Sequence, residues 1–223
     1  MIGFPKRTAV IAPHPDDETL GAGATIARFA DAGVEVSVLI VSGHLPPLYP
    51  EGIFETTQLE TNAALQVLGA THWDFLKIPA TKVHEVPVAE LNGKILGFLR
   101  KTDPEVVLMP FPDRHIDHRI IFDSSIVACR PIHPRFPRLV LAYETLSETH
   151  WNAPGIEPAF GPEFYVDVTT YMDRKKAALE CYASQIRDVP SRSIEACMAL
   201  GKFRGSQNGC GYAEAFKVIR AVV

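Results

Sequence analysis

Residues 8–18 read Thr8-Ala-Val-Ile-Ala-Pro-His-Pro-Asp-Asp-Glu18, and the fold is decided there. Thr8–Ala12 is a short apolar run ended by Pro13, as expected of a buried strand. A polar turn, Pro13–Glu18, comes next. Leu20–Ala32 then has helical spacing with Gly33 as a stop. The alternation continues downstream. Strands are predicted at Glu35–Ser42, His72–Leu76, Glu105–Met109 and Leu139–Tyr143. Helices are predicted at Thr56–Leu68, with apolar Leu59, Ala63, Leu65 and Leu68, and at Val88–Lys101 and Ile116–Cys129. Strand–helix alternation of this kind predicts βαβ units, an α/β fold with a mostly parallel sheet and helices on both faces.

Beyond Tyr143 the pattern loosens. Residues 146–163 contain Pro154, Pro158 and Pro162 and read as a loop or lid. Phe164–Val168 is a short strand, helices are expected at 170–186 and 192–203, and Ala213–Val222 alternates like a strand. There is no internal repeat and no low-complexity tract, so residues 1–223 are expected to form one domain.

The composition sets limits on function. Hydrophobic residues make up 47% and charged residues 22% of 223, ordinary values for a globular chain. The net charge is −4 with no clustered Lys and Arg, which argues against a nucleic-acid partner. No apolar run approaches the roughly 20 residues of a membrane span. Cys129, Cys181, Cys197 and Cys210 form no CxxC pair and read as free thiols of a reducing compartment. The first residues run straight into a strand, with no leader pattern. A cytoplasmic protein with a small-molecule partner is expected.

Two clusters carry the chemistry. His14, Asp16, Asp17 and Glu18 lie just past the first strand, on the sheet edge where ligands gather. Carboxylates this close repel where water is excluded, and a divalent cation resolves the repulsion. His14 and Asp17 can converge on one ion across the turn, and nitrogen and oxygen donors suit zinc. The plainer alternative is a solvated turn in which Asp16 or Asp17 caps the next helix. The second cluster, His115, Asp117 and His118, follows the fourth strand on the same edge. His115 and His118 share a helix face, and Asp117 can hold an imidazole by its second nitrogen. Its plain alternative is a surface histidine pair beside Arg114 or Arg119.

Pro13-His-Pro-Asp-Asp-Glu18 with a downstream His115-Ile-Asp-His118 resembles the LmbE-like (PIG-L) family of zinc N-deacetylases. Glu60 nine residues before Gly69, Tyr182-Ala-Ser-Gln185 and Tyr212-Ala-Glu-Ala-Phe216 are similar to further elements of that family, so the resemblance spans nearly the whole chain. It implies a Rossmann-like three-layer α/β/α fold and one zinc ion (Zn2+) held by His14, Asp17 and His118. It implies Asp16 as general base and His115 beside the substrate carbonyl, protonated to stabilise the oxyanion, with Asp117 behind it. The implied substrate is an N-acetylated amino sugar or glycoside of the N-acetylglucosamine type. Thr56, Thr57 and Gln58 stand where many members carry an Arg, and Arg114 where Gly is common. Both departures bear on the substrate and not on the reaction.

Two other functions fit the same residues. One is a metal-dependent hydrolase of another bond, such as a phosphoester, although the ligands suffice for one metal only. The other is a non-catalytic metal-binding module, which would need no base at Asp16. Iron(II) or cobalt(II) in place of zinc, and a homo-oligomeric state, are compatible with the sequence. A dinucleotide loop at Gly21-Ala-Gly23 is disfavoured, because Ile26 replaces the third glycine and Glu35 begins its strand. His44 follows the second strand on the same sheet edge and suits either the pocket lining or, more plainly, a loop, and His72, His84, His133 and His150 read as surface or packing residues. Trp151 suits either packing or a sugar face. Arg204 and Glu214 are expected to be structural.

Overall fold

The computed structural model describes residues 3–132, 134–186 and 189–222. His133 lies outside the described residues. The elements run β1 (Arg7–Ala12), α1 (Asp17–Asp31), β2 (Glu35–Gly43), α2 (Ile53–Leu68), β3 (His72–Pro79), α3 (Val88–Thr102) and β4 (Val106–Pro110). They continue with α4 (Ile116–Ala128), β5 (Leu139–Tyr143), β6 (Phe164–Asp167), α5 (Met172–Glu180), α6 (Ile194–Ser206) and β7 (Ala213–Ala221).

The strands form one sheet in the order β3-β2-β1-β4-β5-β7-β6. β1 to β5 pair in parallel, and β7 lies antiparallel between β5 and β6. The mostly parallel, three-layer α/β/α fold expected from the sequence is the one observed. Alternate residues of β1 face opposite layers, as the two-residue period of a strand requires. Val10 and Ala12 pack with Ile26 of α1, Leu65 of α2 and Ala178 of α5. Ala9 and Ile11 pack with Leu91 and Ile95 of α3 and Ile121 of α4. Among the described residues no helix is long and apolar enough to cross a membrane.

The strand order reverses between β1 and β4, which both lie at the centre of the sheet. A reversal opens a crevice beyond the carboxyl ends of the two strands. The segments leaving β1 and β4 carry His14–Asp17 and Asp113–His118, so topology alone brings both clusters to one place.

Several boundaries and one face differ from expectation. α1 begins at Asp17, not Leu20, because the carbonyl of Asp16 already accepts the N–H groups of Thr19 and Leu20 at 3.0 and 2.8 Å. β3 extends to Pro79. The helix expected over 170–186 ends at Glu180, and Tyr182 turns into the core. On α2 the buried face is Phe54, Thr57, Thr61, Ala64, Leu65 and Leu68, while Leu59 is 70% exposed. Gly21 serves close packing: a β-carbon there would lie 2.1 Å from the ring of Tyr143.

Candidate functional site

The crevice holds a cavity of about 240 Å3 whose wall includes His14, Asp16, His44, His115, His118 and Arg192. Four carboxylates are buried in or beneath it, Asp16, Asp17, Asp113 and Asp117, each no more than 2% exposed. Their packing around imidazoles sets the electrostatics.

Asp17 is the hub. Its Oδ2 lies 3.1 Å from Nδ1 of His14 and 3.2 Å from Nε2 of His118, and it accepts the main-chain N–H of His14 at 3.0 Å. His118 is turned by Asp113, whose Oδ2 lies 2.9 Å from Nδ1. Asp113 in turn accepts the hydroxyl of Thr149 at 3.0 Å and the main-chain N–H of His115 at 3.0 Å. The Asp117 carboxylate is 3.0 Å from Nε2 of His14 and accepts the N–H of Thr81 at 2.7 Å. The imidazole held by Asp117 is therefore that of His14, not His115. Asp117 meets His115 through its main chain, donating its N–H to Nδ1 at 3.2 Å in a helix N-cap.

These contacts shift the ionisable groups. Burial alone would lower both imidazoles, but hydrogen bonds to Asp117 and Asp17 raise His14 to about 9. The Asp17 charge and the Asp113 hydrogen bond likewise raise His118 to about 10. Burial raises Asp17 less than the His118 and His14 contacts lower it, so it is held well below the usual carboxylate range. Burial, and then the charge of Asp17, push Asp16 well above that range, partly offset by Arg192. Burial and the charges of His14 and His118 lower His115 to about 4.

The chain therefore favours positive charge between His14, Asp17 and His118. The ring nitrogens of His14, His115 and His118 also lie within 4.8 Å of one another. Nε2 of His118 is buried without a hydrogen-bond partner among the described residues. Spacings near 3.1–3.2 Å among a carboxylate oxygen and two ring nitrogens suit donors about 2.0–2.1 Å from a common ion. The residues fit a divalent cation. Geometry alone offers either Asp17 or His115 as the third donor. Asp17 is the anionic one and touches both of the other two.

Several residues here were not singled out by sequence. Asp113 sits in the proline-flanked loop five residues before His118 of α4, and that spacing was a usable signal. Arg192 has no local signal. Its guanidinium reaches to 3.7 Å from Asp16 Oδ2 and 3.6 Å from Glu148 Oε1. His44 is 5% exposed and lines the cavity against Tyr49, the pocket-lining one of the two readings its sequence position offered. Burial, and then the charge of His14, lower it to about 4. His150 pairs with Glu144 at 3.0 Å, and Trp151 is 60% exposed outside the cavity wall. Arg204 binds Glu144 through two nitrogens at 2.8 and 2.7 Å, and Glu214 binds Lys175 at 2.6 Å, both buried ion pairs.

Fold and site together define an α/β protein with a buried cluster of imidazoles and carboxylates, fit for a divalent cation, at the switch point of its sheet. The family described as PIG-L, GlcNAc-PI de-N-acetylase, matches residues 9–129, and the chain belongs to that family. A diacetylchitobiose deacetylase of Thermococcus kodakarensis is 27% identical over 97% of this chain and 84% of its own length. The conserved protein TT1542 of Thermus thermophilus superposes with a TM-score of 0.77 at 29% identity, over 97% of this chain and 96% of that one. The 4-carboxy-2-hydroxymuconate hydratase GalB of Pseudomonas putida KT2440 superposes at 0.78 with 20% identity, over 98% of each chain, a likeness of fold alone.

Proposed function

We propose that this chain is a zinc-dependent N-deacetylase of small amino-sugar substrates, acting as one catalytic domain over residues 1–223. The observation that carries this is Oδ2 of Asp17 within 3.1 and 3.2 Å of two imidazoles, beside a buried Asp16 oxygen with no hydrogen-bond partner. Family membership supports the reaction, and the deacetylase of Thermococcus kodakarensis supports the substrate class. The unbroken sheet supports the single domain. A hydratase shares the fold, so the argument rests on the site and not on the scaffold.

His14, Asp17 and His118 would hold the ion, oriented from behind by Asp117 and Asp113. When bound, a divalent ion supplies Lewis acidity, which activates water and polarises the acetamide carbonyl. Asp16 is a neighbour of a ligand but not itself one. Its Oδ2 takes the proton of the attacking water, a role suited to a carboxylate raised by burial. His115 uses Nδ1 to accept a main-chain N–H, which leaves the proton on Nε2. It serves as a neutral donor to the developing oxyanion, in place of the protonated imidazole the sequence suggested. Asp16 then returns its proton to the leaving amine. Arg192 and Glu148 close the cavity on the side of Asp16.

Nitrogen and oxygen donors suit zinc, and iron(II) or cobalt(II) would be accommodated by the same set. The test is free-amine release by zinc-loaded protein from N-acetylglucosamine, diacetylchitobiose and N-acetylated glycosides, with a chelator control. Chelator-sensitive release supports the proposal. Release of phosphate from phosphoesters without any amine release would favour the other hydrolase.

A further inference from the structure

The turn after α5 reaches back beneath Asp16. That residue has φ +104°, a left-handed backbone that a β-carbon disfavours. An Asp ahead of a helix usually takes extended backbone and turns its carboxylate onto the first free N–H groups. Asp16 does otherwise: its side chain caps nothing, and its Oδ2 is buried at the cavity wall without a hydrogen-bond partner among the described residues. The main chain carries the constraint. Besides the two helical N–H groups on its carbonyl, Asp16 donates its own N–H to Oε2 of Glu18 at 3.3 Å.

Glu18 is fully buried. Its other oxygen, Oε1, accepts the hydroxyl of Thr19 at 2.6 Å and the phenol of Tyr182. Tyr182 is fully buried as well, and the turn it opens is tied to α2. Ser184 donates its N–H and its hydroxyl to the Glu60 carboxylate at 2.9 and 2.6 Å. Gln185, the next residue, lines the cavity.

We propose that Tyr182 and Glu18 are positioning residues for Asp16: the phenol fixes the Glu18 carboxylate, Glu18 fixes the Asp16 N–H, and the left-handed backbone so held keeps the Asp16 carboxylate on the cavity wall and off the helix end. The assignment rests on Asp16 as the base. It gives the Tyr182-Ala-Ser-Gln185 element a task that burial alone does not require. Backbone in a sparsely populated region persists only where its surroundings over-determine it, and this chain of contacts supplies that.

The test is Tyr182→Phe, which removes one hydroxyl and keeps the ring, and Glu18→Gln, which keeps volume but cannot accept on both terminal atoms. Each is studied zinc-loaded, by crystal structure and by kinetics on an N-acetylated sugar that the wild type turns over. The expected result is an Asp16 carboxylate displaced from the cavity wall, zinc content unchanged, kcat lower by roughly ten- to a hundredfold and KM nearly constant. Should Tyr182→Phe not fold, Ser184→Ala removes the hydroxyl that binds Glu60 and accepts the Gln185 amide, keeps the main-chain N–H on Glu60, and carries the same readouts. A lower melting temperature with Asp16 and kcat unmoved would overturn the assignment and leave Tyr182 a packing residue. If the wild type releases no amine, the base role of Asp16 fails, and the crystal structures still decide: a displaced Asp16 supports the positioning and an unmoved one overturns it.

Discussion

Oδ2 of Asp113 lies 2.9 Å from Nδ1 of His118 and so determines that Nε2 is the ring nitrogen turned toward Asp17. As the proposed metal ligand, an imidazole oriented in this way would lose little freedom on binding, and its basicity would rise through the carboxylate behind it. Asp113→Ala is expected to lower zinc affinity about 10–100-fold without unfolding the chain. Competition with a chromogenic chelator measures this. Unchanged affinity would mean that packing alone orients the ring.

In the proposed mechanism Asp16 serves proton transfer and His118 metal binding, so variants at the two separate these functions. In Asp16→Asn, zinc per chain is expected to stay at the wild-type value while amine release falls about 10²–10⁴-fold. In His118→Ala the metal itself is expected to be lost. Elemental analysis beside the rate distinguishes the two. Wild-type turnover in zinc-replete Asp16→Asn would remove Asp16 as the base.

The Arg204–Glu144 pair makes a pH prediction. Burial raises Glu144, but hydrogen bonds to His150 and Arg204 outweigh it and hold the carboxyl below its ordinary 4.5. A depressed carboxyl stabilises the fold above its unfolded pKa, and that stability is lost as pH falls through the folded value. The difference in urea midpoint between wild type and Glu144→Gln is therefore expected in full at pH 7, shrinking below about pH 4.5. Arg204→Ala leaves the buried carboxylate with only its contact to His150, and is expected to destabilise the fold at pH 7 by up to about 3–5 kcal/mol. A pH-independent difference would contradict this.

Gly21→Ala places a β-carbon 2.1 Å from the buried ring of Tyr143, whose hydroxyl is held by the Ile11 carbonyl at 2.8 Å. The ring has little room to move. A loss of about 1–3 kcal/mol in thermal unfolding is expected. A neutral substitution would show that α1 shifts as a body.

The sheet and both clusters were legible because short apolar runs ended by Pro13 and near Pro110 mark where strands stop, and the topology of parallel sheets does the rest. The buried face of α2 was misjudged at Leu59 and Ala63. Thr57 and Thr61 are buried there, with their hydroxyls satisfied by main-chain carbonyls one turn back. A hydrophobicity pattern misses such polar core positions. The partner of Asp117 was not legible either: residue spacing within one loop cannot say that its carboxylate crosses to His14, which arrives from β1. Arg192 and Tyr182 enter the site from beyond α5, and only tertiary packing brings them there.

The most direct measurement is a titration of metal-free protein with zinc, following free-amine release from an N-acetylated amino sugar and bound metal together. Activity rising in step with zinc to a plateau at one ion per chain is the predicted result. Full amine release by metal-free protein, or none from any N-acetylated acceptor with one zinc bound, would contradict the account.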